Sequence, residues 1–301
     1  MPTPRVVISI LNWNGFDDTV ECLRSLQAIR YPNVSIVVVD NGSSQPDVSR
    51  LRETFGNAIR LIEAGQNLGF AEGNNLVLRQ ALETGADYVL LLNNDTSVDP
   101  NFLDRMVAEA ERSPQVGMVG AKIFYHNSPL IWAVGGGRAN FWLDDFRMLG
   151  NGQSDRPDWS THQLDFLTGC ALLIRMEAIR QVGVFDPRYY LYNEEADLCL
   201  RFQHAGWKLA VASEAVVWHK VARSSQYLSP NYVYYMVRNK LLLAHKHLPR
   251  WRWWLFIPVL VVKEGFGYMV LATRRRAWGS LFASWAGILD FLRARFGPRV
   301  A

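Results

Sequence analysis

Four short apolar runs, Val6–Leu11, Ser35–Asp40, Ile59–Glu63 and Tyr88–Asn93, alternate with helix-like stretches, and this alternation constrains the fold more than any other feature of the chain. Each run is rich in Val, Ile and Leu and short enough to be a strand buried on both faces. Between them, Phe16–Ile29 sets Val20, Leu23 and Leu26 on one helical face, and Phe70–Leu82 repeats the pattern with Leu76, Val77, Leu78 and Leu82. Strands joined through helices require right-handed crossovers, which predicts an α/β fold with a mostly parallel central sheet and helices on both faces. Such sheets bind ligands beyond the carboxyl ends of their strands.

Three of the runs end in polar, turn-forming residues: Asn12-Trp13-Asn14-Gly15, Asp40-Asn41-Gly42-Ser43 and Asn93-Asn94-Asp95. All three are expected on one rim. There Asp40 either accepts a hydrogen bond from the N3–H of uracil or thymine or simply caps its turn. Asn93 and Asp95, two apart on an extended segment, offer an amide oxygen and a carboxylate on one face, where a hard divalent cation can bridge to phosphate. Gln66–Asn75 opens a helix with two glycines, Gly69 and Gly73, a pattern that lets backbone amides approach phosphate. His219, after the apolar Ala215–Trp218, is either a further metal ligand or a satisfied strand-end side chain.

Glu194, Glu195 and Asp197 crowd the point where Tyr190–Asn193 runs into a helix. Clustered like charges raise at least one carboxyl pKa, which suits a base working near neutral pH; the alternative is a solvated acidic helix N-terminus. Gly169–Arg175 reads as a buried strand, Met176–Val182 and Glu195–Ala205 as helices, and Lys208–Ala212 and Ala215–His219 as two strands. Residues 126–165, with Gly135-Gly136-Gly137 and Asp144-Asp145, read as loops or short irregular strands.

With 49% hydrophobic and 20% charged residues over 301 positions, disorder is not expected. Cys22, Cys170 and Cys199 lack metal or redox spacing and fit reduced core thiols, and Met1–Arg5 has no signal-peptide pattern, so a cytoplasmic protein is expected. Charge is uneven. Residues 1–230 hold 20 Lys and Arg against 26 Asp and Glu, whereas 231–301 hold 12 against 2. In that basic tail, from Trp278, the apolar residues Leu281, Phe282, Trp285, Leu289, Leu292 and Phe296 recur at helical spacing, flanked by Arg274-Arg275-Arg276 and by Arg293 and Arg295. Trp251–Val262 is also apolar, but Lys263-Glu264 interrupts it, leaving it short of the ~18 residues a spanning helix needs. C-terminal amphipathic helices lying on an anionic membrane surface are therefore expected, with a hairpin closing the domain or a dimer interface as the alternative. Nucleic acid is disfavoured as a partner, because a Trp/Leu/Phe stripe suits lipid better than a phosphate backbone.

Taken in order, Ile8–Gly15, Val38–Ser43, Asn67–Ala71 with Gly73 and Asn75, Leu91–Thr96, Leu167–Ala171, Glu194–Arg201 and Trp218-His219 resemble the inverting nucleotide-sugar glycosyltransferases of family 2, which have the GT-A fold, and their bacterial rhamnosyltransferase-like members in particular. The resemblance covers roughly residues 5–220. It implies that Asp40 reads a pyrimidine base, that Asn93 and Asp95 stand at an Asp-x-Asp metal motif completed by His219, and that Glu195 is the acceptor-activating base, with Glu194 beside it and Asp197 in reserve. Asn12, Trp13, Asn67, Gly69, Asn75 and Asn94 become donor-binding residues by the same resemblance. It further implies a dTDP- or UDP-sugar donor, L-rhamnose being the best match, Mg²⁺ or Mn²⁺ as cofactor, a glycan or polyprenyl-linked glycan acceptor, and a peripheral site on the inner face of the cell membrane.

Two positions depart from the pattern. Asn93 replaces an Asp and removes a charge, so the free protein should hold a cation weakly until a diphosphate adds oxygens. Glu194-Glu195 replaces Glu-Asp, and the added methylene moves the carboxylate by about 1 Å, enough to affect attack geometry. On this basis residues 1–125 form a nucleotide-sugar-binding half, 126–230 an acceptor and catalytic-base half, and 231–301 a helical membrane-associating region. The competing readings are a sugar nucleotidyltransferase, for which Asn12–Gly15 lacks a Gly-rich basic loop, and a non-catalytic sugar-nucleotide-binding assembly subunit. A dinucleotide oxidoreductase is weaker, since no Gly-x-Gly-x-x-Gly follows Leu11.

Overall fold

The computed structural model describes residues 2–140, 145–157, 159, 164–221, 228–275 and 277–299. Asp144 and Arg276, singled out in the sequence, lie outside these residues. The first half alternates as its hydrophobic pattern requires: β1 (Val6–Asn12), α1 (Phe16–Leu26), β2 (Val34–Asp40), α2 (Asp47–Phe55), β3 (Arg60–Glu63), α3 (Gly69–Thr84) and β4 (Tyr88–Asn93). Strands β3-β2-β1-β4 are neighbours in that order and all parallel. The pleat sends alternate side chains to opposite faces. Val6, Ile8 and Ile10 pack in one cluster with Val20, Leu23 and Leu26 of α1, while Val7 joins Val77, Leu78 and Ala81 of α3 in another.

Beyond β4 the sheet changes character. After β5 (Thr96–Val98), α4 (Phe102–Glu111) and β6 (Val116–Tyr125) come β7 (Ile131–Val134), β8 (Gly136–Asn140), β9 (Asp145–Met148), β10 (Phe166–Leu167) and β11 (Ala171–Arg175). Strand β11 lies antiparallel between β4 and β6, and β7, β8, β9 and β10 continue antiparallel outwards. The stretch expected to be irregular thus supplies the far edge of the sheet. One core crosses the 125/126 boundary, because Leu90 of β4 and Leu173 of β11 pair in register and share a cluster.

Helices α5 (Met176–Val182) and α6 (Glu194–His204) precede β12 (Lys208–His219). The two strands expected over residues 208–219 are one, parallel to β6 with a register shift between Ala212 and Val216. That irregularity bends the strand so that its end pairs antiparallel with β5, setting His219 opposite Thr96.

Three helices close the chain: α7 (Pro230–His247), α8 (Arg250–Arg275) and α9 (Trp278–Leu292). Lys263-Glu264 interrupts the apolar run but not the helix: α8 runs through it with Glu264 buried in an ion pair to Lys240 of α7 at 2.8 Å. Among the described residues α8 is the one helix long and apolar enough, over Arg250–Val270, to cross a membrane.

Leu90 is fully buried at the centre of this core. Leu90→Ala should lower the free energy of unfolding by about 2–5 kcal/mol, read by urea denaturation, since a cavity is left between two packed layers.

Candidate active site

Register brings the three polar strand ends together: Asn12 lies opposite Asp40, and Leu11 opposite Asn93. At this rim Asp40 does the work of a turn. Its Oδ1 accepts from Asn12 Nδ2 at 3.0 Å and from the Ser43 hydroxyl, and its Oδ2 accepts from the Ser43 amide at 3.2 Å. Oδ2 therefore keeps a second lone pair. Asn12 is fully buried, with Nδ2 also near Asp47 and Oδ1 accepting from Thr19 at 2.8 Å. It holds the rim together from beneath, its Nδ2 directed at protein acceptors rather than at a donor as the sequence suggested. Trp13, by contrast, is 53% exposed at the tip.

The glycine-bearing start of α3 also differs from its sequence reading. The amides of Phe70 and Ala71 both donate to the carbonyl of Tyr190, at 2.7 and 3.4 Å, while Leu68 and Gly69 donate to Asn41 Oδ1 and Asn67 Oδ1. No phosphate cradle is open there, because protein acceptors already fill it. Gly69 is required for another reason: its φ is +74°, and a Cβ would strike the Tyr190 carbonyl and ring. Asn75, expected to touch a donor, is buried and clamps Phe185, donating to its carbonyl and accepting from its amide at 3.0 Å each.

On the other side of β4, Asp95 Oδ1 stands 3.1 Å from His219 Nε2, and Asn93 Nδ2 is 3.5 Å from the same nitrogen. Asn94 turns away to Thr19. Burial opposes a charge on His219, but the Cys170 sulfur and the hydrogen bond to Asp95 outweigh it and carry the ring up to about 10. Its Nδ1 is buried with no hydrogen-bond partner. Among the described residues no three His, Cys, Asp or Glu stand close enough together to hold a metal. Asp95 and His219 can supply two ligands, so a cation would need further oxygens from whatever binds beside it.

The carboxylate cluster divides in two. Glu194 and Glu195 each keep a buried Oε2 without a partner. Burial raises both, Glu194 further through the neighbouring charge of Glu195, while the amides of Glu195 itself and Gly169 moderate the shift at Glu195. Asp197 goes the other way. Although burial opposes it, His247, Arg201 and Lys246 at 2.8, 2.9 and 2.6 Å bring its carboxyl down to about 2. A fully buried carboxylate so engaged is a poor proton acceptor, which removes the sequence's reason for holding Asp197 in reserve and makes it an anchor between α6 and α7. Glu195 is bonded to Gly169, one residue before Cys170, whose carbonyl accepts from Asn93 and whose sulfur lies beside His219. Gly169 and Cys170 thus connect the base candidate to the Asp95–His219 pair.

Sequence reasoning missed what holds the loop leading into Glu194 and Glu195. Residues Tyr190, Tyr192 and Asn193 have left-handed φ values of 64°, 68° and 69° and lead directly into Glu194. Asn239 Nδ2 lies 2.7–2.8 Å from the carbonyls of Tyr189, Leu191 and Tyr192, and Arg238 donates to those of Arg188 and Tyr189. Both are fully buried in α7. The available signal was an Arg238-Asn239-Lys240 run inside the otherwise apolar Tyr232–Leu243.

The same fold occurs in the mannosyltransferase PcManGT from Pyrobaculum calidifontis, solved with GDP-Man and Mn²⁺, at a TM-score of 0.59 and 16% identity over 97% of this chain and 88% of that one. S. aureus TarS residues 1–349, solved with UDP-GlcNAc, matches at 0.60 with 15% identity over 97% and 84%. This is a GT-A-type α/β protein. A family model described as "Glycosyltransferase like family 2" matches residues 4–238, and the chain belongs to that family. It is 28% identical over 255 residues to the N-acetylglucosaminyl-diphospho-decaprenol L-rhamnosyltransferase of Mycobacterium tuberculosis, covering 76% of this chain and 81% of the relative. It is 21% identical to the dTDP-rhamnosyl transferase RfbF of Shigella flexneri, covering 75% and 78%.

Asn239→Ala should lower kcat by about a hundredfold, the usual cost of a 1 Å misplacement of a reacting group, while leaving nucleotide-sugar Kd unchanged. Steady-state kinetics beside calorimetric donor titration would separate the two effects.

Proposed function

We propose that this protein is an inverting glycosyltransferase that moves a sugar, L-rhamnose being the best candidate, from a dTDP- or UDP-sugar to a hydroxyl of a glycan or polyprenyl-diphosphate-linked glycan during cell-envelope polysaccharide assembly. The observation that carries this reading is the Glu195 carboxyl, its pKa raised by burial and its Oε2 unengaged, bonded to Gly169 next to the Cys170 that adjoins His219 of the Asp95–His219 pair. The family assignment and the named rhamnosyltransferase relatives support the reaction class and the choice of sugar.

Glu195 takes the proton of the acceptor hydroxyl as its oxygen forms a bond to the anomeric carbon. The bond from that carbon to the diphosphate oxygen breaks on the opposite face, and the nucleoside diphosphate leaves with the electron pair. Configuration inverts, and no covalent sugar–enzyme species is formed. A bound Mg²⁺ or Mn²⁺ would neutralise the charge growing on the leaving diphosphate. Asp95 and His219 would hold it, the donor supplying the remaining oxygens. Asp40 Oδ2 would meet the pyrimidine and Trp13 the exposed side of the donor. A polyprenyl-linked acceptor would put the protein at the cytoplasmic face of the cell membrane.

Glu195→Gln should abolish transfer while preserving donor affinity, and NMR of the product should show the anomeric configuration opposite to that of the donor. Retained transfer by this variant would remove Glu195 from the mechanism. The base must be ionised and burial raises its pKa, so kcat/KM should fall with decreasing pH along a limb lying above the ordinary glutamate value of ~4.3.

A further inference from the structure

Helices α8 and α9 are built inside out. On α9 most residues turned inward are small, Ser280, Ala283, Ser284 and Gly287, with Ile288 the large one beside them, and a Cβ on Gly287 would meet the Tyr234 carbonyl of α7 at 2.7 Å. Its outward residues are large: Trp278 is 50%, Phe282 70%, Trp285 45% and Leu292 70% exposed. On α8 Phe256 and Leu260 are buried, while Trp251, Trp254, Val262 and Phe266 are exposed. At about 100° per residue each exposed set falls on one side of its helix and each buried set on the other. A helix surrounded by water is patterned the opposite way.

Charge selects the occupant. The only two carboxylates of residues 231–301 are Glu264 and Asp290. Glu264 is paired with Lys240 of α7, and Asp290 accepts from Tyr234 of α7 at 2.8 Å. Arg250, Arg252, Lys263, Arg293 and Arg295 are exposed. The outer surface therefore combines apolar side chains with positive charge, which matches anionic lipid headgroups and opposes the approach of a second identical face. The Phe256, Leu260 and Glu264 side of α8 is committed to the other two helices, so the helix lies along the protein even though its length would allow it to span.

We propose that α8 and α9 form a docking surface that lies in the plane of an anionic bilayer. The α9 end of the chain reaches the segment that leads to Glu195. Ser280 donates to the Leu228 carbonyl, and Gly297, just past α9, donates its amide to the carbonyl of Arg188 at the start of the loop leading to Glu195. A bilayer under this face would adjoin that loop, so an acceptor could keep its lipid in the membrane while its sugar reaches the base. That last point rests on the glycosyl-transfer reading; the docking surface does not.

Flotation of the full chain with vesicles of mixed phosphatidylglycerol and phosphatidylcholine, against phosphatidylcholine alone, tests the proposal. The protein should float with the anionic vesicles. The pair Trp254→Glu with Phe282→Glu should abolish flotation, and Arg293→Glu with Arg295→Glu should reduce it at least about tenfold, each with an unchanged circular dichroism spectrum and unchanged transfer to a water-soluble acceptor. Equal flotation on neutral vesicles, or undiminished flotation of the tryptophan and phenylalanine pair, would overturn it. So would a dimer in detergent-free buffer that this pair dissociates, because a second copy would then cover the face. Stronger quenching of tryptophan fluorescence by lipids brominated at the chain ends than near the headgroup would mean that α8 spans. Wild-type flotation without any donor turnover would leave the docking surface standing and remove the enzymatic reading alone.

Discussion

The site depends on one carbonyl. Tyr190 O accepts both the Phe70 and Ala71 amides at the start of α3, and so joins that helix to the loop that delivers Glu194 and Glu195. Holding that carbonyl in place requires a left-handed path through Tyr190, Tyr192 and Asn193. Asn adopts such angles readily, whereas Tyr does so rarely. Conformations of this kind cost of order 1–3 kcal/mol each and persist where the surroundings over-determine them. Here Asn239 and Arg238 cover the loop's carbonyls from α7, and Gly69 leaves room for its closest approach. The strain and the clamp belong to the same loop, and the carboxylates follow from it.

Electrostatics then separates three acidic residues that the sequence lists almost side by side. Asp197 is drawn into a buried network with Arg201, Lys246 and His247, which fixes it as an ion and ties α6 to α7. Glu194 and Glu195 sit away from any cation, where burial favours the proton-bound form. Environments that push neighbouring carboxyls in opposite directions allow one to anchor and another to exchange a proton. Asp95 and His219 come together because β12, beyond its register shift, pairs with β5 and sets His219 opposite Thr96.

Helix α7 gives the C-terminal region two tasks. Its inner side carries Arg238, Asn239, Lys246 and His247 to the base loop and to α6. Its outer side takes the small-residue face of α9 and the ion pair from α8, leaving aromatic residues and arginines outermost. The family match ends at residue 238, so much of this arrangement lies beyond it.

The parallel half of the fold was legible because its information is local: β1, β2 and β4 are runs of Val, Ile and Leu bounded by polar turns, and period and composition carry that directly. The rim at Asn12, Asp40 and Asn93 followed, since parallel neighbours end together. The antiparallel edge from β7 to β10 was not legible, as short strands interrupted by Gly gain their stability only from partners distant in sequence. Nor could sequence say which polar residues would be spent internally. Asn12, Asn75 and Asp197 have the chemistry of site residues, but hydrogen bonds to Thr19, Phe185 and Arg201 consume them. By itself the sequence determined which residues could bind, ionise or bury, because that is fixed by side-chain type and periodicity. Only the tertiary structure decided which were free to do so, because hydrogen-bond partners and dielectric surroundings are set by contacts between residues far apart in the chain.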